Sequence, residues 1–189
     1  MERHKNTHIF RLDIEGLRRT EAFEKDLIFY LGKDWKNNYV VRESVAAYLL
    51  HLRKIESSNP NLLLAYIYHL YMGLLSGGQL LMHKRKVLGK FPFTGATREG
   101  GTAVTNFGDI TISKLKRDVK AAMNSVAEDL DETTKQMLIE ESKTVFVKNN
   151  EIIRTVKGGT EVVVMKLLIL LIPLSVALML LALILFYNK

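Results

Sequence analysis

The sequence predicts an all-α fold that ends in a C-terminal transmembrane helix. Within residues 1–156, apolar residues recur at the three- and four-residue spacing of a helix face. No segment shows the apolar–polar alternation of a convincing strand. Residues 167–187 form an uncharged apolar run that would span about 31 Å as a helix, the thickness of a bilayer core. A multi-helical domain followed by a membrane anchor accounts for all three observations.

Length and composition limit the classes of protein that fit. The chain has 189 residues, which suits one domain. We expect a helical domain over 1–156, a linker over 157–166 and an anchor over 167–187. The absence of cysteine excludes disulfides, thiolate metal sites and cysteine nucleophiles. The net charge is +7, but the basic residues are spread along the chain, and we expect no nucleic-acid partner.

Five helices are predicted in the first domain. Gly32 ends the first helix, and Asn59 with Pro60 fits the cap and first position of the third. Asp109 is the predicted cap of the fourth helix. A glycine-containing loop over residues 89–107 separates the third helix from the fourth. The predicted bounds are Glu15–Leu31, Glu43–Ile55, Pro60–Leu88, Ile110–Ala127 and Leu130–Val156.

The C-terminal segment is predicted to tether the domain to one face of a membrane. Lys157-Gly158-Gly159-Thr160 forms a short flexible joint before the anchor. Lys157 and Lys166 precede the apolar run, and by the positive-inside rule they favour a cytoplasmic domain. Pro173 lies inside the run, where membrane helices tolerate proline.

The third predicted helix contains an unusual stretch, HLYMGLLSGGQLLMHKRK (residues 69–86). Each of its three glycines costs a helix interior about 0.8–1 kcal/mol relative to alanine. Gly73 and Gly77 are four residues apart and therefore share one helix face, on which His69 also lies. That face lacks bulk at two successive turns.

Three structures would explain the glycines. A second transmembrane helix would use Gly73-x-x-x-Gly77 for close contact, but His69 and several tyrosines would be costly in lipid. Close packing of soluble helices explains one or two glycines but not the adjacent pair Gly77-Gly78, since adjacent positions point about 100° apart. The favoured interpretation is a helix that bends over a flat ligand.

The glycine stretch YMGLLSGGQLL (residues 71–81) closely resembles the signature of the heme oxygenases. LLLAYIYHLYMG precedes the glycines as in that family, and EKDLIFYLGKDW (24–35) resembles an early helix end. KLKRDVKAAMNS (114–125) and IEESKTVFVKNN (139–150) resemble its last two heme-pocket helices. The resemblance covers nearly the whole chain before the anchor, in the same order.

The resemblance implies a heme oxygenase-like bundle that binds heme and opens it to biliverdin, carbon monoxide and iron. Electrons would come from NADPH through a flavoprotein reductase, and the tail would anchor the protein in the endoplasmic reticulum membrane, facing the cytosol. Gly73, Ser76 and Gly77 match the distal helix that positions heme. Lys116 and Lys120 match residues that meet the propionates. Tyr68, Phe146 and Asn149 match pocket-lining positions.

The chain departs from the family pattern at three places, of which His69 is the third. Its first residues resemble the end of the family's second helix, so we expect no counterpart of the first helix or of its proximal iron-ligating histidine. His4 and His8 are interpreted as exposed polar residues. Leu74 stands where the family has an aspartate that helps to deliver protons, and leucine accepts no hydrogen bond.

His69 has no counterpart in the resemblance and is assigned to the heme pocket by its place on the glycine face. Two roles remain open, a ligand of iron from the distal side or a histidine at the pocket edge without ligation. At the level of the whole chain, the alternative to an active oxygenase is a non-catalytic heme-binding or interaction protein on the same scaffold. A tail-anchored coiled-coil adaptor is disfavoured because no heptad run adjoins the anchor.

Overall fold

The computed structural model describes residues 7–88 and 100–156, together with Leu171 and Pro173. Every regular element in these residues is helical, which confirms the predicted all-α class of the domain. Short 3-10 turns span His8–Leu12, Pro60–Leu62 and Ala103–Thr105, and a π-helical turn spans Leu74–Gly78. The α-helices are α1 (Thr20–Leu31), α2 (Trp35–Asn38), α3 (Glu43–Ser58), α4 (Leu63–Gly73), α5 (Gln79–Leu88), α6 (Ile112–Asp129) and α7 (Glu132–Arg154).

The chain divides into two compact units, Met1–Asn149 and Asn150–Lys189. The first contains α1 to α6 and most of α7, and the second contains the last residues of α7. No helix within residues 7–88 and 100–156 is long and apolar enough to cross a membrane. The predicted linker and anchor lie outside the described residues except for Leu171 and Pro173, so these two segments stay predictions.

The first predicted helix begins later than its sequence pattern suggested. The prediction placed its start at Glu15, but α1 begins at Thr20. Gly16 adopts φ +88°, a left-handed conformation that a helix cannot contain, and the Leu17 amide donates to the carbonyl of Ile14 in a turn. The buried Leu17 therefore packs from this turn rather than from the helix.

The predicted cap of the fourth long helix is also wrong. The side chain of Thr111, not Asp109, accepts a hydrogen bond from the Lys114 amide, and α6 starts at Ile112. Aspartate and threonine both cap helices well, and Asp109 and Thr111 lie only two positions apart in the sequence. By contrast, Asn59 caps the turn at Pro60 as predicted, since its side-chain oxygen accepts from the Asn61 amide.

A buried apolar cluster connects the glycine turn to α6. It consists of Leu17, Leu75, Phe107, Leu115 and Val119, each less than a tenth exposed. α4 also packs against α3 and against the turn at His8–Leu12. Burial of a large aliphatic or aromatic side chain contributes about 1.5–3 kcal/mol. The cluster therefore fixes the π turn and α6 side by side.

The segment 102–107 is fastened to α1 and to the glycine turn by polar contacts. The Asp26 carboxylate accepts hydrogen bonds from the amides of Ala103 and Val104 at 2.8 and 2.9 Å. The Gln79 side chain donates to the Thr105 carbonyl at 2.8 Å. These bonds hold the segment against α1 and against the start of α5, which directly follows the π turn.

Candidate functional site

The helix that carries the glycine face changes its hydrogen-bonding pattern at the glycines. α4 ends at Gly73, a π-helical turn spans Leu74–Gly78, and α5 continues from Gln79. In a π turn each amide bonds a carbonyl five residues back, and such single turns occur frequently at functional sites. The helix therefore departs from regular α geometry at the doubled glycine, through a π turn, while the predicted bend over a ligand stays a prediction.

Neither backbone conformation nor packing requires glycine at positions 73 and 77. Gly73 has φ −62° and ψ −46°, which any L-residue adopts, and Gly77 has no positive φ. A Cβ atom added at either position would meet no described atom within 4 Å. Both glycines are exposed, as is Ser76 between them. This face therefore gives a flat ligand direct access to the backbone.

Gly78 and Leu74 lie on the packed side of the same turn. A Cβ atom at Gly78 would lie 3.0 Å from Cδ1 of Leu74 and 3.4 Å from Cγ2 of Thr105. Leu74 also packs against the cluster that contains Leu75 and Phe107. The resemblance predicts an aspartate at position 74. Leu74 is instead an apolar side chain packed against the core.

A cavity of about 300 Å³ lies beside α4, on the N-terminal side of the glycines. Such a volume is at the lower end of ordinary small-molecule pockets. Three helices contribute to its wall, together with Leu130 between α6 and α7. The contributing side chains include Tyr68 and His69 from α4, Met123 and Ala127 from α6, and Lys135 and Ser142 from α7.

The cavity-lining face of α6 continues to the two predicted propionate-binding lysines. Lys116, Lys120, Met123 and Ala127 follow one another at steps of four, three and four residues, so they share one stripe of the helix. Lys116 is half-buried and Lys120 is exposed. This end of α6 packs against the glycine turn through Leu115 and Val119, and the two lysines lie on the neighbouring stripe of the helix.

The cavity-lining face of α7 continues in the same way to Phe146 and Asn149. Ser142 precedes Phe146 by four residues, and Asn149 follows by three. The Phe146 ring is 57% exposed, and its centroid lies 5.0 Å from that of His69. The contact between Phe146 and His69 thus places this stripe of α7 beside α4.

His69 lies where the cavity meets the glycine face. Its ring contacts Phe146 edge-on, and the Tyr68 ring lies 5.4 Å away in a similar arrangement. Partial burial lowers the pKa of His69 below its ordinary value, because removal from water disfavours the imidazolium form. The neutral imidazole, which this burial favours, has an unshared electron pair on one ring nitrogen.

A network of three polar side chains beside the cavity, His51, Tyr66 and Glu141, was not predicted from the sequence. The Glu141 carboxylate accepts a hydrogen bond from the Tyr66 hydroxyl at 2.5 Å and lies 2.7 Å from Nε2 of His51. The Tyr66 ring is buried. This burial is the main cause of a raised pKa of the Tyr66 phenol, and the Glu141 carboxylate raises the pKa further. The network joins α3, α4 and α7, and Ser142 of the cavity wall directly follows Glu141. Its members are far apart in sequence, so no local pattern could reveal it.

Tyr48 packs against this network with a buried hydroxyl that has no hydrogen-bond partner among the described residues. Because an unpaired buried hydroxyl is unfavourable, we expect Tyr48→Phe to raise the free energy of unfolding by about 1 kcal/mol. Urea denaturation at pH 7 measures this change, and a loss of stability would show that the hydroxyl is paired in solution.

The pKa of Tyr48 also predicts how the free energy of unfolding changes at alkaline pH. Burial, and secondarily Glu141, raises the pKa of Tyr48 to about 12. An elevated folded-state pKa stabilises the protein below the ordinary tyrosine pKa near 10, and that contribution is lost as the pH rises towards 12. Wild type should therefore lose more stability than Tyr48→Phe between pH 9 and about 11.

Comparisons with known proteins identify the family. The heme oxygenase family model matches residues 1–155. Heme oxygenase 1 of Synechocystis is 31% identical over 144 residues, 76% of this chain and 57% of that protein. Heme oxygenase 1 of Gallus gallus is 32% identical over 136 residues, 72% of this chain and 44% of that protein. The chain thus spans about half the length of the curated relatives that it matches.

Solved structures share the fold. The crystal structure of Synechocystis heme oxygenase-1 in complex with heme superimposes with a TM-score of 0.72 at 26% identity, covering 89% of this chain and 73% of that one. The structure of Synechocystis heme oxygenase-2 with heme and NO gives a TM-score of 0.70 at 28% identity, covering 81% of this chain and 62% of that one. The sequence match and the shared fold together establish that this chain belongs to the heme oxygenase family.

Proposed function

We propose that this chain binds heme on the surface formed by the glycine turn and the adjoining faces of α6 and α7. The observation that carries this proposal is the open face at Gly73 and Gly77, where an added Cβ would meet no described atom within 4 Å. Glycine there is explained neither by torsion angles nor by packing, and a porphyrin lying against the backbone supplies the missing reason.

The side chains around this face suit the two ends of a heme. The ammonium groups of Lys116 and Lys120 are placed four residues apart on one stripe and complement two carboxylates. Tyr68 and Phe146 offer aromatic surface to the apolar part of the ring, as pocket-lining residues commonly do. Asn149 supplies a half-buried polar group at the edge.

The proposed reaction is oxidative cleavage of heme to biliverdin, carbon monoxide and ferrous iron. Heme supplies the reactive centre, and electrons come from NADPH through a flavoprotein reductase. The residues of this chain bind and orient the ring, and the glycine face lets the backbone approach it closely. Membership of the heme oxygenase family supports this assignment.

A second candidate function is heme binding without cleavage. The observation that favours it is Leu74, whose side chain packs against the core and accepts no hydrogen bond from an ordered water. Proton delivery at this position would need another group. Ser76 is exposed on the glycine face, and its hydroxyl both donates and accepts hydrogen bonds.

A turnover assay distinguishes the two functions. The chain is mixed with hemin, NADPH and a flavoprotein reductase, and absorption is followed from the Soret band to the bilin region. An active oxygenase converts the Soret band into biliverdin absorption, and repetition with ascorbate as the reductant removes dependence on the choice of reductase. A stable Soret band under both conditions supports the second function, and the absence of any Soret band contradicts both.

We further propose that residues 167–187 anchor the domain in the endoplasmic reticulum membrane with the domain in the cytosol. The uncharged apolar run and the lysines that precede it support this placement. Alkaline carbonate extraction of cell membranes tests it. The full chain should remain in the pellet, and its release into the supernatant would contradict an integral anchor.

A further inference from the structure

Three side chains in the cavity wall have the chemistry to bind heme iron. Heme iron is held by histidine, cysteine, methionine or tyrosine side chains. The chain has no cysteine. Among the described residues that line the cavity beside the glycine face, only Tyr68, His69 and Met123 belong to these types.

Position separates these three residues. His69 precedes Gly73 by four residues and therefore stands on the same helix face, about 6 Å along the axis from it. Tyr68 points about 100° away from His69 around α4, so it contacts the proposed heme site only from its cavity end and does not lie on the glycine face. Met123 belongs to α6 and stands on the stripe that leads to the lysines. Only His69 lies both in the cavity wall and on the face where the backbone is open.

The surroundings of His69 leave its imidazole available. The described contacts of its ring are the edge-on approaches of Tyr68 and Phe146, which fix the ring plane without using a nitrogen atom. His51 differs, because its Nε2 is 2.7 Å from the Glu141 carboxylate. With these two aromatic neighbours, the His69 side chain is only partly exposed.

We propose that His69 binds the heme iron from the glycine face, at the position that dioxygen needs for cleavage, so this ligation belongs with the second function, heme binding without cleavage. This inference rests on the proposed heme site and goes beyond it, because the family resemblance assigns no ligand to this position. One nitrogen of the imidazole would bind the iron, while contacts with Tyr68 and Phe146 restrict rotation of the ring.

Spectroscopy of the hemin complex tests the ligand. The full chain, in detergent, is loaded with hemin and compared with His69→Gln and His69→Ala by absorption and electron paramagnetic resonance, using ¹⁵N-histidine labelling to identify the bound nitrogen. Wild type should show coupling to a histidine nitrogen. Both variants should retain a Soret band but lose that coupling, with hemin affinity weakened about tenfold. Added imidazole should restore a nitrogen-ligated spectrum in His69→Ala.

Three variants serve as comparisons. His83→Gln removes an exposed histidine on α5 and should leave the spectrum unchanged, whereas Tyr68→Phe and Met123→Leu remove the competing ligand types. A wild-type spectrum in His69→Gln would overturn the inference while leaving the heme site intact. The same conclusion would follow if Tyr68→Phe or Met123→Leu alone abolished the wild-type ligation. The absence of a Soret band in wild type would overturn the heme site itself. Circular dichroism confirms that each variant remains helical.

Discussion

Replacing Gly77 with leucine is expected to weaken hemin binding by about 10- to 100-fold, equivalent to about 1.4–2.8 kcal/mol. The added side chain would occupy the space that we assign to the porphyrin. The fold itself should tolerate the change, because no described atom lies within 4 Å of the new Cβ and leucine favours a helix more than glycine does. Hemin titration followed at the Soret band measures affinity, and thermal melting of the ligand-free chain measures stability.

Gly78→Ala is the matched control for this experiment. Its Cβ would point towards Leu74 and Thr105, away from the open face. The flexible end of Leu74 can shift by a few tenths of an ångström, so hemin affinity should stay close to that of wild type. If Gly77→Leu binds hemin as wild type does, or if both variants lose binding equally, the glycine face is not the heme surface.

Replacing Glu141 with alanine is expected to lower the free energy of unfolding by about 2–4 kcal/mol. The change would leave the Tyr66 hydroxyl buried without its acceptor and would separate His51 from α7. Only 13% of the Glu141 side chain is exposed, so water replaces these bonds poorly. Urea denaturation at pH 7 measures the loss.

Two substitutions isolate the role of the carboxylate in the network. Glu141→Gln keeps one acceptor oxygen and should lose less stability than Glu141→Ala. Glu140→Ala removes a carboxylate of the same helix that is 69% exposed and bonded only to Lys143 among the described residues, and its effect should stay within about 0.5 kcal/mol. Equal effects of Glu140→Ala and Glu141→Ala would show that the buried network does not stabilise the fold.

The helices and the glycine face were predictable because their signals are local. Hydrophobic periodicity gave the number and order of the long helices, and Asn59 with Pro60 marked one helix start correctly. The spacing of Gly73 and Gly77 placed both on one side of a helix before any contact was known. Each of these inferences needs only neighbouring residues and the geometry of a helix.

The remaining features depend on contacts between distant segments. Apolar residues of the segment before Thr20 fit a helix, yet the turn at Gly16 places Leu17 in a cluster with residues from 75 to 119. Glu141 meets Tyr66 across 75 positions of sequence and His51 across 90. The only local sign of this network was the presence of polar and aromatic residues on otherwise apolar helices. That pattern fits many structures and therefore did not predict the contacts.

Leu74 shows how the structure changes the interpretation of a sequence difference. From the sequence alone, it is a missing carboxylate. In the fold it is also a packing residue, since it covers Gly78 and contacts the cluster around Leu75. An aspartate at this position would remove apolar contacts from that cluster. Restoring the family residue by Leu74→Asp alone would therefore test proton delivery and packing together.

The position of the iron can be measured in an iron anomalous difference map of crystals grown with hemin. We expect a single iron peak over the helix face between His69 and Gly77, with the propionates directed towards Lys116 and Lys120. An iron peak on any other surface of the domain would contradict the assignment of this face as the heme site.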